Sequence, residues 1–411
     1  MGCSVSTPSP RMGAVTPAAR IQTAIELLDG IIRAARENGP PADRLLAEGF
    51  RQRRYAGSKD RRAIRDLVYG AIRACGPVPE SGRAAMLRLA ESDPAIVPLF
   101  DGSPYGAAPV APGEKPADGG LAPEWLEAAL AASGTQGADA AALLGRAPLD
   151  LRVNALKASP DTLDLPVRGE SLPVPGGLRF PEGTQVEQWE AFRTGQVEVQ
   201  DCGSQVACLA VGAQPGETVV DLCAGAGGKT LALAAAMDNR GTLIASDTDR
   251  TRLSRLAPRA GRAGAAIAET FLLDPGRELD TLAPWAGRAD AVLIDAPCSG
   301  TGTWRRNPEA RWRLSEEQLA RYVQTQAHLL ELGASLVRPG RRMVYVTCSL
   351  LNAEGPEQIA AFAAAHADWR AEPLHLPLHS PLGAPCGAGL RLTPSRDGTD
   401  GFFIARLSRS C

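Results

Sequence analysis

An aspartate and a cysteine follow one apolar run in a way that predicts a reactive site. Residues 295–302 read Asp-Ala-Pro-Cys-Ser-Gly-Thr-Gly and come directly after the run Ala-Val-Leu-Ile at 291–294. Such a run predicts a buried parallel strand. Pro297 cannot continue a central strand and the glycines free the backbone, so the chain leaves the sheet here. Asp295 and Cys298 are therefore expected at the carboxyl end of the strand, where open α/β sheets bind ligands.

A second cysteine has the same setting. Residues 341–347 read Arg-Arg-Met-Val-Tyr-Val-Thr and predict another strand, and Cys348 lies just past its end. Because the carboxyl ends of parallel strands meet at one edge of a sheet, Cys348 is expected near Asp295 and Cys298. A single cysteine is more often a small buried hydrophobe. Two strand-end cysteines and an aspartate in one domain indicate chemistry instead.

Methylation of carbon 5 of cytosine would use such a set. That carbon is a poor nucleophile, but a thiolate that adds at carbon 6 forms an enamine and makes carbon 5 nucleophilic. Asp295 would stabilise the adduct at ring nitrogen 3, and a second group must then help the carbon 5 proton and the thiol to leave. The residues themselves do not decide which cysteine is the nucleophile. No histidine is required, and the four present are interpreted as structural: His328, His366, His375 and His379.

A glycine-rich loop predicts the cofactor site. Residues 218–222 predict a strand, and residues 223–230 read Cys-Ala-Gly-Ala-Gly-Gly-Lys-Thr. A phosphate loop needs glycine where Cys223 stands, and a dinucleotide fingerprint needs glycine where Thr230 stands. Both patterns are near misses, and an S-adenosylmethionine loop, whose glycines let the backbone approach the methionine part of the cofactor, is the third interpretation.

Two further aspartates favour the third interpretation. Asp247 ends the predicted strand at 241–246, and Asp274 ends the stretch 265–273. One acid at each successive strand end is what a nucleoside cofactor spread across a sheet requires. Asp247 is therefore expected at the ribose hydroxyls and Asp274 at the adenine amine of S-adenosylmethionine.

Composition indicates a globular protein with local basic clusters. The chain has 411 residues, 44% hydrophobic and 22% charged, and a formal net charge of −2. That net charge alone does not suggest nucleic acid, but residues 51–75 carry eight basic and two acidic side chains. None of the nine cysteines forms a CxxC pair, and no secretory signal or membrane-spanning run occurs. These features predict a cytoplasmic protein with free thiols, without a membrane or metal partner.

The pattern along the chain predicts four segments. Residues 1–17 read as a disordered tail, 18–145 as a helical domain with one basic face, 146–200 as a small α+β subdomain, and 201–411 as the α/β catalytic domain. Within the last, 372–395 read as a proline-rich loop, and 401–407 as a final edge strand.

A long helix is predicted between the two cysteine segments. Ser315 is a good N-cap and Gln318 occupies the capping-box position. The apolar stripe of this helix is predicted to consist of Leu319, Val323, Ala327 and Leu330.

These motifs resemble those of the Sun/nucleolar-protein family of RNA cytosine-5 methyltransferases over about residues 149–407. The matching strings are DLCAGAGGKT, DAPCSGTG, RRNPEARW, VTCS and DGFFIA. The resemblance implies a Rossmann-like S-adenosylmethionine-dependent methyltransferase domain, Cys348 as nucleophile and Cys298 as the partner that helps to release the product. It also implies Asp295 as a catalytic residue and these cofactor contacts: Cys223, Ala224, Gly225, Ala226, Gly227, Gly228, Lys229, Asp247, Asp274 and Asp295.

The chain departs from the family pattern in two places. Gly225-Ala226 stands where the family usually has Ala-Pro, which leaves the glycine approach intact. After Thr-Cys-Ser the family usually has Glu-Asn-Glu, whereas this chain has Glu354-Gly-Pro. That second change weakens any role assigned to the asparagine.

The N-terminal part resembles a NusB-like RNA-binding domain. The matching stretch is residues 59–73, and the domain is fused to the methyltransferase in the small-subunit ribosomal RNA methyltransferase B group. The resemblance implies 16S ribosomal RNA as substrate, held by the helical and central domains of a monomer, with five side chains near the site: Trp304, Arg305, Arg306, Arg311 and Trp312. The alternatives are a transfer RNA methyltransferase, a nucleotide-hydrolysing P-loop protein, and a non-catalytic RNA-binding factor on the same fold.

Overall fold

The computed structural model describes residues 15–411, which fold into two compact units. The first unit comprises the chain up to Ala129 together with Asn307–Leu314. The second unit comprises Leu130–Arg306 and Ser315–Cys411. Positions 1–14 of the predicted tail lie outside the described residues, and the first helix begins at Pro17.

The first unit is helical. Its helices are α1 (Pro17–Arg36), α2 (Ala42–Gln52), α3 (Ser58–Ala74) and α4 (Gly82–Ser92), and the chain then enters α5 (Glu124–Ala132). The hydroxyl of Thr16 caps α1 by accepting a hydrogen bond from the backbone N–H of Ala19 at 3.2 Å. The apolar faces predicted for α1 and α3 are buried: Ile21, Ile25, Leu28, Ile31, Ile32, Ile64, Val68 and Ile72.

Residues Asn307–Leu314 belong to the core of the helical unit, although they follow the Asp-Ala-Pro-Cys segment in sequence. Trp312 is 5% exposed and packs among the apolar side chains of this unit. Arg311 is fully buried and donates to the backbone carbonyls of Ile72 and Cys75, each at 2.6 Å. Burial lowers the pKa of the Arg311 guanidinium to about 10. This segment therefore stabilises the helical unit.

The second unit begins with a small antiparallel sheet. After α6 (Ala138–Ala142), the strands are β1 (Leu149–Val153), β2 (Glu170–Ser171), β3 (Gly177–Phe180) and β4 (Val197–Val199), with α7 (Glu190–Arg193) before β4. Their order is β2-β3-β1-β4. Phe180 and Trp189 pack edge to face beneath it with ring centroids 5.1 Å apart.

The remainder of the second unit alternates helices and strands. In chain order these are α8 (Cys202–Val211), β5 (Thr218–Asp221), α9 (Gly228–Ala236), β6 (Thr242–Asp247), α10 (Arg250–Leu253), α11 (Leu256–Ala263), β7 (Glu269–Leu272), α12 (Glu278–Leu282), β8 (Ala289–Asp295), α13 (Glu316–Leu336), β9 (Val337–Thr347), α14 (Pro356–Ala365), β10 (Trp369–Glu372), β11 (Ala384–Cys386), β12 (Gly389–Leu392), α15 (Pro394–Asp397) and β13 (Phe402–Arg409).

Among the described residues, nine strands pair into one sheet. Its order is β11-β12-β13-β9-β8-β5-β6-β7, and β10 also pairs with β13. The strands from β9 to β7 are parallel, and β13 runs antiparallel to β9. Side chains that alternate along the central strands enter two separate apolar clusters, one on each face. This topology confirms the predicted Rossmann-like α/β fold.

Two predictions about the end of the chain are wrong. The stretch 372–395 contains the hairpin of β11 and β12. Strand β13 is not an edge strand, because it pairs with β9 on one side and with β12 and β10 on the other. The hairpin partner that covers β13 was not visible, since its prolines and glycines were interpreted as loop.

The long helix α13 forms as predicted, but its buried face is different. The hydroxyl of Ser315 caps it by accepting from the N–H of Gln318 at 3.2 Å. Ala327, predicted to be in the apolar stripe, is exposed. Gln326 is fully buried instead, beside Leu329 and Leu330.

The predicted domain boundaries at 145 and 200 stay predictions. The two compact units divide the chain after residue 129, and Asn307–Leu314 belongs to the first unit. Within residues 15–411, no helix has both the length and the apolar character that crossing a membrane needs.

Candidate active site

The two cysteine segments leave the sheet side by side. Strands β8 and β9 are parallel neighbours, and Asp295 at the end of β8 lies opposite Val346 of β9. Cys298 and Cys348 therefore follow adjacent strand ends at the same edge of the sheet. Their Sγ atoms are 3.5 Å apart. The expectation that these three residues come together is confirmed in the geometry.

The two thiols form one hydrogen-bonded pair. The pKa of the Cys298 thiol is raised well above its usual range, chiefly by the hydrogen bond with Cys348. Burial and the nearby Glu354 carboxylate raise it further. Cys298 therefore keeps its proton, and its Sγ lies at hydrogen-bond distance from Sγ of Cys348, where either sulfur can be the donor. Which of the two cysteines attacks the substrate stays a prediction.

A half-buried ion pair adjoins the cysteines. Lys229, in the first turn of α9, places Nζ 2.6 Å from Oδ2 of Asp295. Burial alone would lower the pKa of the Lys229 ammonium, but the Asp295 carboxylate and the nearby thiols outweigh burial and the pKa is raised. Lys229 also lies over the ring of Phe402 at 5.7 Å. The site thus holds a fixed positive charge next to Asp295.

The glycine-rich loop approaches the end of β6 closely. The N–H of Gly225 donates to Oδ2 of Asp247 at 2.7 Å, and the N–H of Asp249 donates to Oδ1 of Asp247 at 2.7 Å. Gly227 has φ of +87°, and a Cβ there would lie 2.1 Å from Cδ1 of Leu256. Glycine is therefore needed at position 227 for both conformation and space.

One cavity of about 560 Å³ runs along these strand ends, a size suited to a small-molecule ligand. Five predicted site residues line it: Cys223, Asp247, Asp295, Cys298 and Cys348. Lys229 reaches the cavity through its ion pair with Asp295. The remaining predicted loop residues form the backbone behind Cys223 and are not in its lining: Ala224, Gly225, Ala226, Gly227 and Gly228.

Asp274 stands apart from this cavity. Its neighbours Leu273 and Pro275 line the pocket, while Asp274 itself is exposed and does not. Its predicted contact with adenine therefore stays a prediction.

Sequence reasoning missed several residues that line the cavity. Arg252 follows Asp247 by five residues, and its Nη2 lies 2.7 Å from where a Cβ on Gly225 would be. Tyr322, Thr325 and Leu329 of α13 also line it. Their spacing of three and four residues places them on one helical face, a signal that could have found them.

One histidine is nearer the site than predicted. His328 lines the cavity, and its Nε2 is 3.1 Å from Oε2 of the buried Glu278, which lines the cavity too. The interpretation of His328 as purely structural is therefore incomplete. His366 pairs instead with Glu331 at 2.8 Å. Among residues 15–411 no group of three or more potential ligands could hold a metal ion.

Asp221 is a buried carboxyl behind the loop. It ends β5, and its Oδ2 accepts from the hydroxyl of Thr230 at 2.6 Å. Burial raises the pKa of Asp221 to about 7, with Asp295 adding to the effect.

The side chains predicted to lie near the site are mostly buried. Four of the five are buried: Trp304, Arg305, Arg311 and Trp312. Arg306 pairs with Asp201 at 3.0 Å and with Asp400 at 2.6 Å. Buried carboxylates and carbonyls inside each unit use the donors of these arginines, and the prediction that the five side chains lie near the site stays a prediction.

Comparisons with known proteins identify the family. The family model described as 16S rRNA methyltransferase RsmB/F matches residues 208–408. A ribosomal RNA small subunit methyltransferase B from Xylella fastidiosa is 36% identical over 297 residues, which cover 69% of this chain and 68% of that protein. A probable methyltransferase B from Synechocystis is 35% identical over 273 residues, covering 64% of this chain and 60% of that protein. The chain belongs to the RsmB/F methyltransferase family.

The structural comparison agrees with this assignment. The crystal structure of PH0851 has a TM-score of 0.70 and 27% identity, and the match covers 96% of this chain and 99% of that one. The chain nevertheless matches only about 60% of the length of the Synechocystis protein. The resemblance to Sun-family methyltransferases is confirmed.

Proposed function

We propose that this protein transfers a methyl group from S-adenosylmethionine to carbon 5 of a cytosine in RNA, with 16S ribosomal RNA as the substrate. The observation that carries the proposal is the cysteine pair, with 3.5 Å between the sulfurs, at the ends of adjacent strands beside the cavity. The names of the relatives support ribosomal RNA methylation. Covalent catalysis on the pyrimidine ring is the chemistry that two strand-end thiols serve.

In the proposed reaction Cys348 is the nucleophile. Its thiolate adds to carbon 6 of cytosine, a carbon–sulfur bond forms, and carbon 5 becomes nucleophilic. After methylation, carbon 5 gives its proton to a solvent water in the cavity, the ring double bond re-forms, and the bond from carbon 6 to sulfur breaks, so that Cys348 leaves as a thiolate. Cys298 donates a hydrogen bond from its S–H to the departing sulfur and so stabilises the thiolate that leaves.

Asp295 and Lys229 form the polar wall of the site. Lys229 holds Oδ2 of Asp295, which fixes the carboxylate while the residue still faces the cavity. In that position Asp295 can accept a hydrogen bond from a protonated ring nitrogen 3 and so stabilise the adduct.

The residues present fit S-adenosylmethionine, which supplies an electrophilic methyl group. The fit rests on the close approach of the loop, where Gly227 has no room for a side chain, and on Asp247, whose oxygens each accept one backbone N–H and retain acceptor capacity. Asp247 would hold the ribose hydroxyls, and Cys223 and Arg252 would border the same cavity.

The helical unit is the proposed RNA-holding surface. Three arginines are exposed here, Arg51 on α2, Arg54 in the loop that follows it and Arg62 on α3. Tyr55, in the same loop, is 51% exposed. Exposed aromatic rings among arginines stack on bases while the arginines contact phosphates. Tyr55→Ala should weaken binding of a single-stranded RNA by about 5- to 100-fold, as expected for one stacked base.

Tyr105 offers the matched control for that test. It is 89% exposed on the same unit, and the adjacent sequence carries an aspartate rather than arginines. Tyr105→Ala should leave RNA affinity unchanged in the same filter-binding assay. Equal losses in the two variants would contradict a base-stacking role for Tyr55.

Bisulfite sequencing of RNA from cells with and without the gene tests the reaction and the substrate together. Loss of one protected cytosine in 16S ribosomal RNA is the expected result. A loss confined to transfer RNA would replace the substrate and keep the chemistry. No loss in any RNA, together with no methylation of purified RNA by the protein, would favour a non-catalytic RNA-binding factor. A cytoplasmic location and a monomeric state stay predictions.

A further inference from the structure

A fully buried carboxylate lies beneath the Cys298 segment. Glu354 is 0% exposed and ends a short 3₁₀ turn that follows Cys348 in the chain. Its carboxylate accepts hydrogen bonds from the N–H of Ser299 at 2.8 Å and from the Ser299 hydroxyl. Within the described residues no arginine, lysine or histidine forms an ion pair with Glu354. Burying a carboxylate without a counter-charge costs free energy unless hydrogen-bond donors satisfy its oxygens.

A buried glutamine completes the arrangement from the other side. Nε2 of Gln326, on α13, donates to the carbonyl of Pro297 at 2.9 Å and to Oε1 of Glu354 at 3.0 Å. Gln326 thus holds the residue before Cys298, while Glu354 holds the residue after it. We call Gln326 and Glu354 the loop clamp.

The loop clamp is also attached to the strand that leads to the nucleophile. The backbone carbonyl of Glu354 accepts from the hydroxyl of Tyr345 at 2.9 Å and from that of Thr347 at 3.2 Å. Both donors lie on β9, which ends one residue before Cys348. In addition, the hydroxyls of Ser299 and Ser349 are 3.2 Å apart. The segments of both cysteines are therefore fixed to one buried carboxylate residue.

We propose that Gln326 and Glu354 are positioning residues that hold Cys298 at hydrogen-bond distance from the sulfur of Cys348 for the release of methylated RNA. The inference rests on the proposed function. Release is the step affected, because Cys348 directly follows the last residue of β9, whereas Cys298 lies three residues beyond the end of β8 in a loop that leaves the sheet. Without the clamp, Cys348 still adds to cytosine, but the S–H donor drifts from the departing sulfur.

The test separates methyl transfer from release. Gln326→Leu removes both donor bonds, and Glu354→Gln is nearly isosteric but cannot accept from all three of its donors at once. Each variant is incubated with S-adenosylmethionine and substrate RNA, and methyl transfer in a single turnover is measured beside the fraction of RNA held covalently on a denaturing gel. Methyl transfer should stay within a few-fold of wild type, while release slows by about 100-fold, the cost of a displacement of roughly 1 Å at a reacting group.

Gln205→Leu is the matched control. Gln205 is another buried helical glutamine of the same unit. Its Nε2 donates to the carbonyls of Leu151 and Gln200 at 3.2 and 2.9 Å, and neither carbonyl belongs to the segment of Cys298 or Cys348. This variant should not accumulate adduct, even if its unfolding midpoint falls as much as that of Gln326→Leu. If Gln326→Leu does not fold, Glu354→Gln carries the test, with binding of S-adenosylhomocysteine as the check on the site.

The possible results are distinct. Adduct accumulation in the clamp variants and not in the control supports the inference. The inference is overturned if the rates of methyl transfer and release fall together in the clamp variants, or if release stays at the wild-type rate. In either case the proposed function stands as long as the wild-type protein methylates RNA. A wild-type protein that methylates no RNA and forms no adduct overturns the proposed function and the inference with it.

Discussion

Replacing each cysteine in turn should separate formation of the covalent adduct from its breakdown. In the proposed reaction Cys348→Ala removes the nucleophile, so neither adduct nor methylated RNA is expected. Cys298→Ala removes the S–H donor, whose sulfur is 3.5 Å from that of Cys348. A hydrogen bond to a charged group contributes about 1.5–3 kcal/mol. Its loss from the departing thiolate should therefore slow release by about 10- to 150-fold.

The assay is a quenched time course with methyl-labelled S-adenosylmethionine and substrate RNA, resolved on a denaturing gel. Cys298→Ala should accumulate a protein–RNA band that carries the label. Cys298→Ser is the matched variant, because its hydroxyl also donates a hydrogen bond, and it should release RNA faster than Cys298→Ala. The reasoning is refuted if Cys298→Ala turns over at the wild-type rate, or if Cys348→Ala still forms the band.

Three further predictions follow from the described contacts. Gly227→Ala should abolish calorimetric binding of S-adenosylhomocysteine, because its Cβ would lie 2.1 Å from Leu256, whereas Gly261→Ala in α11, with nothing within 4 Å of its Cβ, should bind normally; equal affinities would contradict the loop assignment. Arg311→Ala takes a donor from two buried carbonyls of the helical unit, and only the Ile72 carbonyl keeps another, the N–H of Cys75 at 3.4 Å; the change should cost about 1–3 kcal/mol in chemical denaturation, and an unchanged midpoint would show that the Cys75 carbonyl finds another donor. Burial raises the pKa of Asp221 to about 7, so between about pH 4 and 7 the folded state keeps a proton that the unfolded state has lost, and the free energy of unfolding of the wild type falls as pH rises through that window. The variant Asp221→Asn should therefore gain stability relative to wild type between pH 4 and 8, up to on the order of 4 kcal/mol. Parallel pH profiles of the two proteins would refute the assignment.

The parallel sheet and its strand ends could be predicted because their signals are local. Each central strand is a short apolar run followed by an acid, a cysteine or a glycine, and such a run is buried on both faces. That pattern correctly placed Asp247, Asp295, Cys298 and Cys348 at one edge. The antiparallel end was missed because pairing between β13 and the hairpin of β11 and β12 joins short segments rich in proline and glycine, whose composition favours loops.

The segment Asn307–Leu314 shows a different limit. Arg311 and Trp312 lie between the two cysteines in sequence, and that proximity suggested a place near the site. In the structure Arg311 and Trp312 are buried in the helical unit, more than two hundred positions away along the chain from the residues they contact. Charge and aromatic content predicted the chemistry of the side chains correctly but could not predict their partners, because a guanidinium satisfies a buried carbonyl as well as it does a phosphate.

Polar residues inside apolar faces were the least predictable and carry the most information about the site. Periodicity assigned Ala327 to the core of α13 because it is apolar, and left out Gln326 because it is polar. The structure reverses the two, since the amide of Gln326 is needed by Pro297 and Glu354. Glu354 was likewise noted only for the asparagine missing after it. A buried polar group must have partners, so each one identifies a backbone segment that the fold holds in place, and here that segment carries Cys298.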